Sequence, residues 1–258
     1  MKLNLGRYVF GLGAVAFGVL TLFWHDLNNW YQIPALENIL NSEILSYIIG
    51  VIEILGGIAI LWKRTVRLGA VILCAVFLIL SLLWLPLIVE NPLSYGGWGN
   101  FFLEFCLVSG TLIIYASTAE NISKRADMIA QTGYIIFGIS VISFALYQLF
   151  YLSYTAGLVP KWIPPGQMFW AVTTTIAFVL AAAAILTGRS ALLASRLLTL
   201  MLILFGVLVF LPGSYVDPHD LSNWSEIVET FSAAGVSWIT ADYLYRKHSA
   251  KLKNPDSE

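Results

Sequence analysis

Runs of apolar residues, each roughly 20 long, alternate with short polar connections from one end of the chain to the other. They cover residues 5–24, 44–62, 68–88 and 100–117, and then 133–151, 167–187, 191–211 and 226–245. A helix rises about 1.5 Å per residue, so each run is long enough to cross a hydrocarbon core about 30 Å thick. The spacing predicts eight transmembrane helices.

The pattern is written twice. Phe10-Gly11, Phe17 and Leu22-Phe23 recur as Phe137-Gly138, Phe144 and Leu149-Phe150, an offset of 127. Leu85-Pro86 with Pro92 recurs as Leu211-Pro212 with Pro218 at 126, and Glu104 and Gly110 recur as Glu229 and Gly235 at 125. An internal repeat makes the repeated unit the folding unit. The expected fold is therefore an all-α membrane protein of two four-helix bundles. Residues 1–119 form the first unit, 120–132 a polar cytoplasmic linker, 133–248 the second unit and 249–258 a cytoplasmic tail. Four spans per unit give both units the same orientation, so the repeats are parallel and not inverted.

Composition agrees: 59% of residues are apolar and 11% charged, with a mean hydropathy of +0.80. Charge then sets the orientation. Thirteen of the fourteen Lys and Arg residues fall on alternate connections, and Lys161 alone falls on the other side. The positive-inside rule places both termini in the cytoplasm. The opposite connections carry Trp24, Trp30, Trp98, Trp162 and Trp224, as an interfacial aromatic belt would. Ala14-Val15-Ala16 imitates a signal-peptide cleavage site, but residues 133–151 copy the same stretch internally, so the first span is expected to be retained. The lipid bilayer is the expected surrounding. A net charge of -1 without a basic stripe excludes nucleic acid as a partner.

Candidate chemistry rests on acids. Glu53 falls midway along the second span, where a carboxylate is costly unless compensated. Gly50, Glu53 and Gly57 share one helical face, and small residues allow close helix approach. That face should look into the bundle and form a binding surface around Glu53. The acid carries a proton or a ligand on one reading and specifies packing on the other. Glu104 and its counterpart Glu229 lie near the outer ends of the fourth and eighth spans, and Glu104 is the expected partner of Glu53. At the equivalent point the second half has Phe178, so a single polar site belongs to the first half. His25 sits beside Asp26 at an outer edge and is a further ligand-binding candidate. No spaced set of His and Cys forms a metal motif, and Cys74 and Cys106 lack the spacing of a thiol redox pair.

The first half resembles the DoxX family of four-helix bacterial membrane proteins. The resemblance is carried by Arg7-x-x-Phe10-Gly11 with Gly18, by Glu53-x-x-Gly56-Gly57, and by Arg64 to Arg67 leading into Gly69-Ala70. It covers most of residues 5–117, and the second half shares the layout without the glutamate. The resemblance implies a compact four-helix bundle in each half and a site at Glu53. Some members of that family are membrane subunits of quinone-linked oxidoreductases such as thiosulfate:quinone oxidoreductase.

Three function classes follow. A redox-system membrane subunit would bind a quinone or small lipid in the outer half of the first bundle, with Glu53 accepting the proton and Glu104 assisting. Its electrons would come from a redox partner protein or bound cofactor, because no haem-ligating His pair or cluster-ligating Cys set is present. A non-enzymatic scaffold or cargo-binding protein would use the polar outer loops. A transporter fits less well, since the spans read as unbroken and the central acid is unmatched.

Overall fold

The computed structural model describes residues 5–25, 42–119 and 123–253. Among them all regular structure is helical. In chain order the helices are α1 (Leu5–Trp24), α2 (Ser42–Leu61), α3 (Val66–Leu83), α4 (Leu85–Glu90) and α5 (Tyr95–Ser117). There follow α6 (Lys124–Phe150), α7 (Leu152–Leu158), α8 (Gln167–Thr187), α9 (Ala191–Phe205), a π-helical turn (Gly206–Phe210), α10 (Leu211–Val216) and α11 (Leu221–Lys253). Seven segments are long and apolar enough to cross a membrane, the third and seventh comprising α3 with α4 and α9 through α10. This is the make-up of a multi-pass membrane protein. Of the outer loop expected between the first two spans, residues 26–41 lie outside the described residues.

The eighth expected span lies within α11, which is not among the seven. α11 packs on α1, on α5 and on α9, and it buries Ser232, Ala233, Ala234, Val236, Ser237, Ile239, Thr240 and Ala241. The middle of α11 is thus enclosed by other helices. α5, the most enclosed of the seven spanning segments, is also the least hydropathic.

Glycines set the closest approaches. α2 buries Ser46, Ile49, Gly50, Glu53, Gly56, Gly57 and Ile60, a stripe with the three-and-four spacing of one helix face. Gly50 and Gly57 on that stripe meet Gly18 and Gly11 of α1. On α1 a second pair, Gly6 and Gly13, lies about 140° around the helix from the first and meets α11. A β-carbon at Gly6 would stand 2.8 Å from the Ile239 nitrogen, and one at Gly235 2.9 Å from the Phe10 nitrogen. α1 is thus a narrow wedge between α2 and α11.

The same contacts occur along the second half. Gly11 lies against Ile60 and Leu61, and Gly138 against Ile185 and Leu186; Gly6 lies against Trp238, and Gly133 against Ile113. The closure, however, differs from two self-contained bundles. α1 packs on α11 and α5 packs on α6, with α5 and α11 in mutual contact. One core joins both halves, including Phe10, Phe77 and Leu107 with Phe137, Ile185 and Val236.

Residues 124–132, read as linker, are helical and begin α6, where the Ser123 hydroxyl accepts from the Ala126 N–H at 3.2 Å. The third and seventh spanning segments are not unbroken. Pro86 starts α4 after a turn at Trp84, and Pro212 starts α10 after the π-helical turn. Proline lacks the N–H that would continue the preceding hydrogen-bond ladder, and it is well placed in the first turn of a new helix.

Candidate functional site

α11 opens with a cap, the Asp220 carboxylate accepting from the Ser222 N–H at 2.9 Å. Its next residues, Ser222, Ser225, Glu226, Glu229, Thr230 and Ala233, fall at intervals of three and four and line one wall of a cavity of about 660 Å³. Trp170, Ala171, Thr174 and Phe178 of α8 form the facing wall, and Phe144, Tyr147 and Gln148 of α6 join them. From Ser222 to Ala233 the wall descends about 16 Å, roughly half a hydrocarbon core.

The chemistry changes with depth. At the loop end stand serines, Glu226, Tyr154 and Thr155. At the floor Phe178 meets Phe144 and Phe205 edge-on, with ring centroids 5.9 and 6.2 Å apart. Between them the Thr175 hydroxyl donates to the Gln148 side-chain oxygen at 3.0 Å, which fixes one wall. The covering segment after α7 is tied down twice. Gln167 Nε2 donates to the Val159 carbonyl at 2.6 Å, and Trp170 Nε1 to the Pro164 carbonyl at 2.9 Å. Burial, and secondly the Glu226 carboxylate, hold the Tyr154 phenol above its usual range, so it remains a hydrogen-bond donor.

Of the residues expected from the sequence, Glu229 lines this cavity. Glu104, on α5, is close enough to interact electrostatically with both Glu229 and Glu53, and its Oε2 is buried without a hydrogen-bond partner among the described residues. Glu53 is 3% exposed, and its Oε2 likewise has no partner. Three acids from α2, α5 and α11 are therefore brought into one electrostatic neighbourhood. Among the described residues no three of His, Cys, Asp and Glu stand close enough to hold a metal ion. Gly50 and Gly57 meet the backbone of α1. His25 is exposed at the C-terminal end of α1 with its Nε2 2.8 Å from the Tyr47 hydroxyl, and it does not line the cavity.

Glu226 and the cavity itself escaped the sequence reading. The signal was present. At the offset of 125 that relates Glu104 to Glu229, Phe101 corresponds to Glu226 and Phe105 to Thr230. Phe101 and Phe105 pack against each other at 5.4 Å and against Phe102, whereas the shorter, polar pair in the second half leaves space. A search for gaps, and not only for acids, would have pointed there.

No protein family matches the chain, nor does any curated protein or solved structure.

Proposed function

We propose that the chain is an eight-span integral membrane protein, a duplicated DoxX-like unit with both ends in the cytoplasm of a bacterial inner membrane. It holds a small amphipathic molecule of the quinone or lipid class in the outer half of the bilayer. The observation that carries this reading is the cavity on α11 and α8, polar where it meets the outer connections and aromatic at its floor. Such a gradient matches a molecule with a polar head and an apolar tail. The site is thereby proposed in the second half, with the acids of the first half behind it.

Support for the duplication comes from the paired glycine contacts, and from Trp98 and Trp224, whose Nε1 atoms donate to the Pro92 and Pro218 carbonyls at 3.2 and 3.0 Å. Support for an eighth span comes from the 33-residue length of α11 and its enclosure by other helices. In this account the two copies exchange their fourth helices.

As a membrane subunit of a quinone-linked redox system, the protein would seat the quinone head near Glu229. Glu104 and Glu53 would then take up the protons that quinol oxidation releases. The test is solvent extraction of protein purified in mild detergent, followed by mass spectrometry. About one quinone or lipid per chain is expected, and less in Glu229→Gln. A chain that carries neither, in wild type and variant alike, contradicts the reading.

A further inference from the structure

At the end of the bundle away from the cavity mouth, α1 begins beside Ile239 of α11 and α2 ends at Leu61. Residues 5–24 and 54–83, which include all of α1 and α3, contain Arg7, Lys63, Arg64 and Arg67 and no Asp or Glu. The turn from α2 to α3 is tight. The Thr65 N–H donates to the Trp62 carbonyl at 3.3 Å, and the Thr65 hydroxyl to the Ala59 carbonyl at 2.9 Å. Lys63 and Arg64 are the two central residues of that turn, and both are exposed. With Tyr8 of α1, Leu61 and Trp62 they line a groove of about 530 Å³. Asp242 of the neighbouring α11 does not line it, and the Arg67 guanidinium lies over the Tyr115 ring, 4.5 Å from its centroid.

Arg7 adds positive charge from behind Tyr8. It is 7% exposed, its guanidinium carbon lies 5.1 Å from the Tyr8 ring centroid, and its Nε has no hydrogen-bond partner among the described residues. A guanidinium does not shed its proton, and a buried charge is screened less than an exposed one. The second half shows what packing alone requires at such a junction. Gly138 meets Leu186 as Gly11 meets Leu61. On the offsets of 127 and 125, Tyr134 stands for Arg7, Ile135 for Tyr8, Thr187 for Trp62 and Gly188 for Lys63, and Arg189 alone matches Arg64. The Tyr134 hydroxyl donates to the Ile185 carbonyl, a contact within the helix pair. That junction packs without the cations and rings that line the groove.

Charge and position identify the occupant. A groove rimmed by Lys63 and Arg64 draws an anion. Trp and Tyr favour the membrane interface, and Trp62 is 68% exposed. One helical turn further into the spans, Leu12 of α1 and Ile58 of α2 are exposed and apolar. We propose that the groove binds the phosphodiester head of an anionic phospholipid, with Lys63 and Arg64 on the phosphate, Tyr8 and Trp62 at the glycerol level and the acyl chains over Leu12 and Ile58. The site is separate from the cavity and stands whatever the cavity holds.

The test is native mass spectrometry of the full chain in mild detergent, titrated with phosphatidylglycerol and phosphatidylcholine of identical dioleoyl chains, with inorganic phosphate as the third probe. A basic side chain at a membrane surface favours an anionic lipid about fivefold, and two favour it about 30-fold. The expected result is one phosphatidylglycerol per chain, held about 30-fold more tightly than phosphatidylcholine. The preference should be lost in the double variant Lys63→Gln, Arg64→Gln and kept in Lys124→Gln, Arg189→Gln, which removes the same charge elsewhere on the same proposed membrane face. Arg64→Gln alone should lower the preference about fivefold, and it decides the matter where the double variant fails to fold. Equal binding of the two lipids overturns the proposal. So does equal loss of preference in both charge-matched variants, which would show a face that attracts anions without a site. Displacement of phosphatidylglycerol by millimolar inorganic phosphate would assign the groove to free phosphate and overturn the lipid site.

Discussion

A β-carbon at Gly57 would stand 2.7 Å from the carbonyl oxygen of Gly11, so these two glycines hold α1 and α2 in backbone contact. Neither helix can retreat freely, since the opposite side of α1 is pressed against α11 through Gly6 and Gly13. Gly57→Ala is therefore expected to cost about 1–3 kcal/mol, the usual range for overpacking. Gly157→Ala on α7, where nothing lies within 4 Å of the added carbon, should be neutral or slightly stabilising. Thermal unfolding in detergent separates the two; equal melting temperatures would show that the α1–α2 contact tolerates widening.

Glu53 presents a different balance. Its Oε2 is buried without a partner among the described residues, and an unsatisfied buried polar atom costs about 1–3 kcal/mol. Glu53→Met should raise thermal stability, while Glu53→Gln should leave expression nearly intact and abolish ligand-linked activity. If Glu53→Met instead destabilises the protein as much as a core truncation would, the carboxylate is a packing device and its functional role is lost. Phe178→Gln is expected to weaken ligand binding as well as folding, because Phe178 forms the cavity floor.

Thr230→Phe restores, in the second half, the residue type found at Phe105 in the first. The cavity of about 660 Å³ has room for the added ring, so the variant should fold with unchanged or higher stability and lose its ligand. Melting temperature and extracted ligand, measured on one preparation, check both halves of that expectation. A stable variant with full ligand content would place the ligand elsewhere.

Topology is open to direct measurement. Ser94 and Thr118 cap opposite ends of the 23-residue helix α5, about 35 Å apart. Single cysteines at these positions, in an otherwise cysteine-free chain, should be labelled from opposite sides of the membrane, Ser94→Cys from outside. Labelling of both from outside would overturn the orientation drawn from the Lys and Arg positions.

Much of this architecture was legible in the chain because lipid imposes a long apolar period that no local propensity overrides. The buried stripe of α2, with Gly50, Glu53 and Gly57 on it, follows directly from their spacing. The convergence of Glu104 with Glu53 and Glu229 was only half legible: depth along a helix can be read from sequence, but the neighbour across the interface cannot. The packing of α1 on α11 was hidden for the same reason, since Gly6 and Gly13 declare a close contact without naming its partner. Prolines 86 and 212 marked the helix breaks, yet an apolar run containing proline reads equally well as a kinked continuous span. The cavity was least legible, because it arises from side chains that are smaller than their counterparts, and a missing ring leaves no motif.

The claim that the second-half cavity holds an amphiphile is tested most directly by photocrosslinking in intact membranes. A benzophenone amino acid is placed at Thr230, inside the cavity, and for comparison at Val179, which is 53% exposed on α8. After irradiation, intact-mass analysis should show one discrete small-molecule adduct at position 230 and a spread of bulk phospholipid adducts at 179. The same phospholipid spread at both positions, or no adduct at 230, would contradict the account.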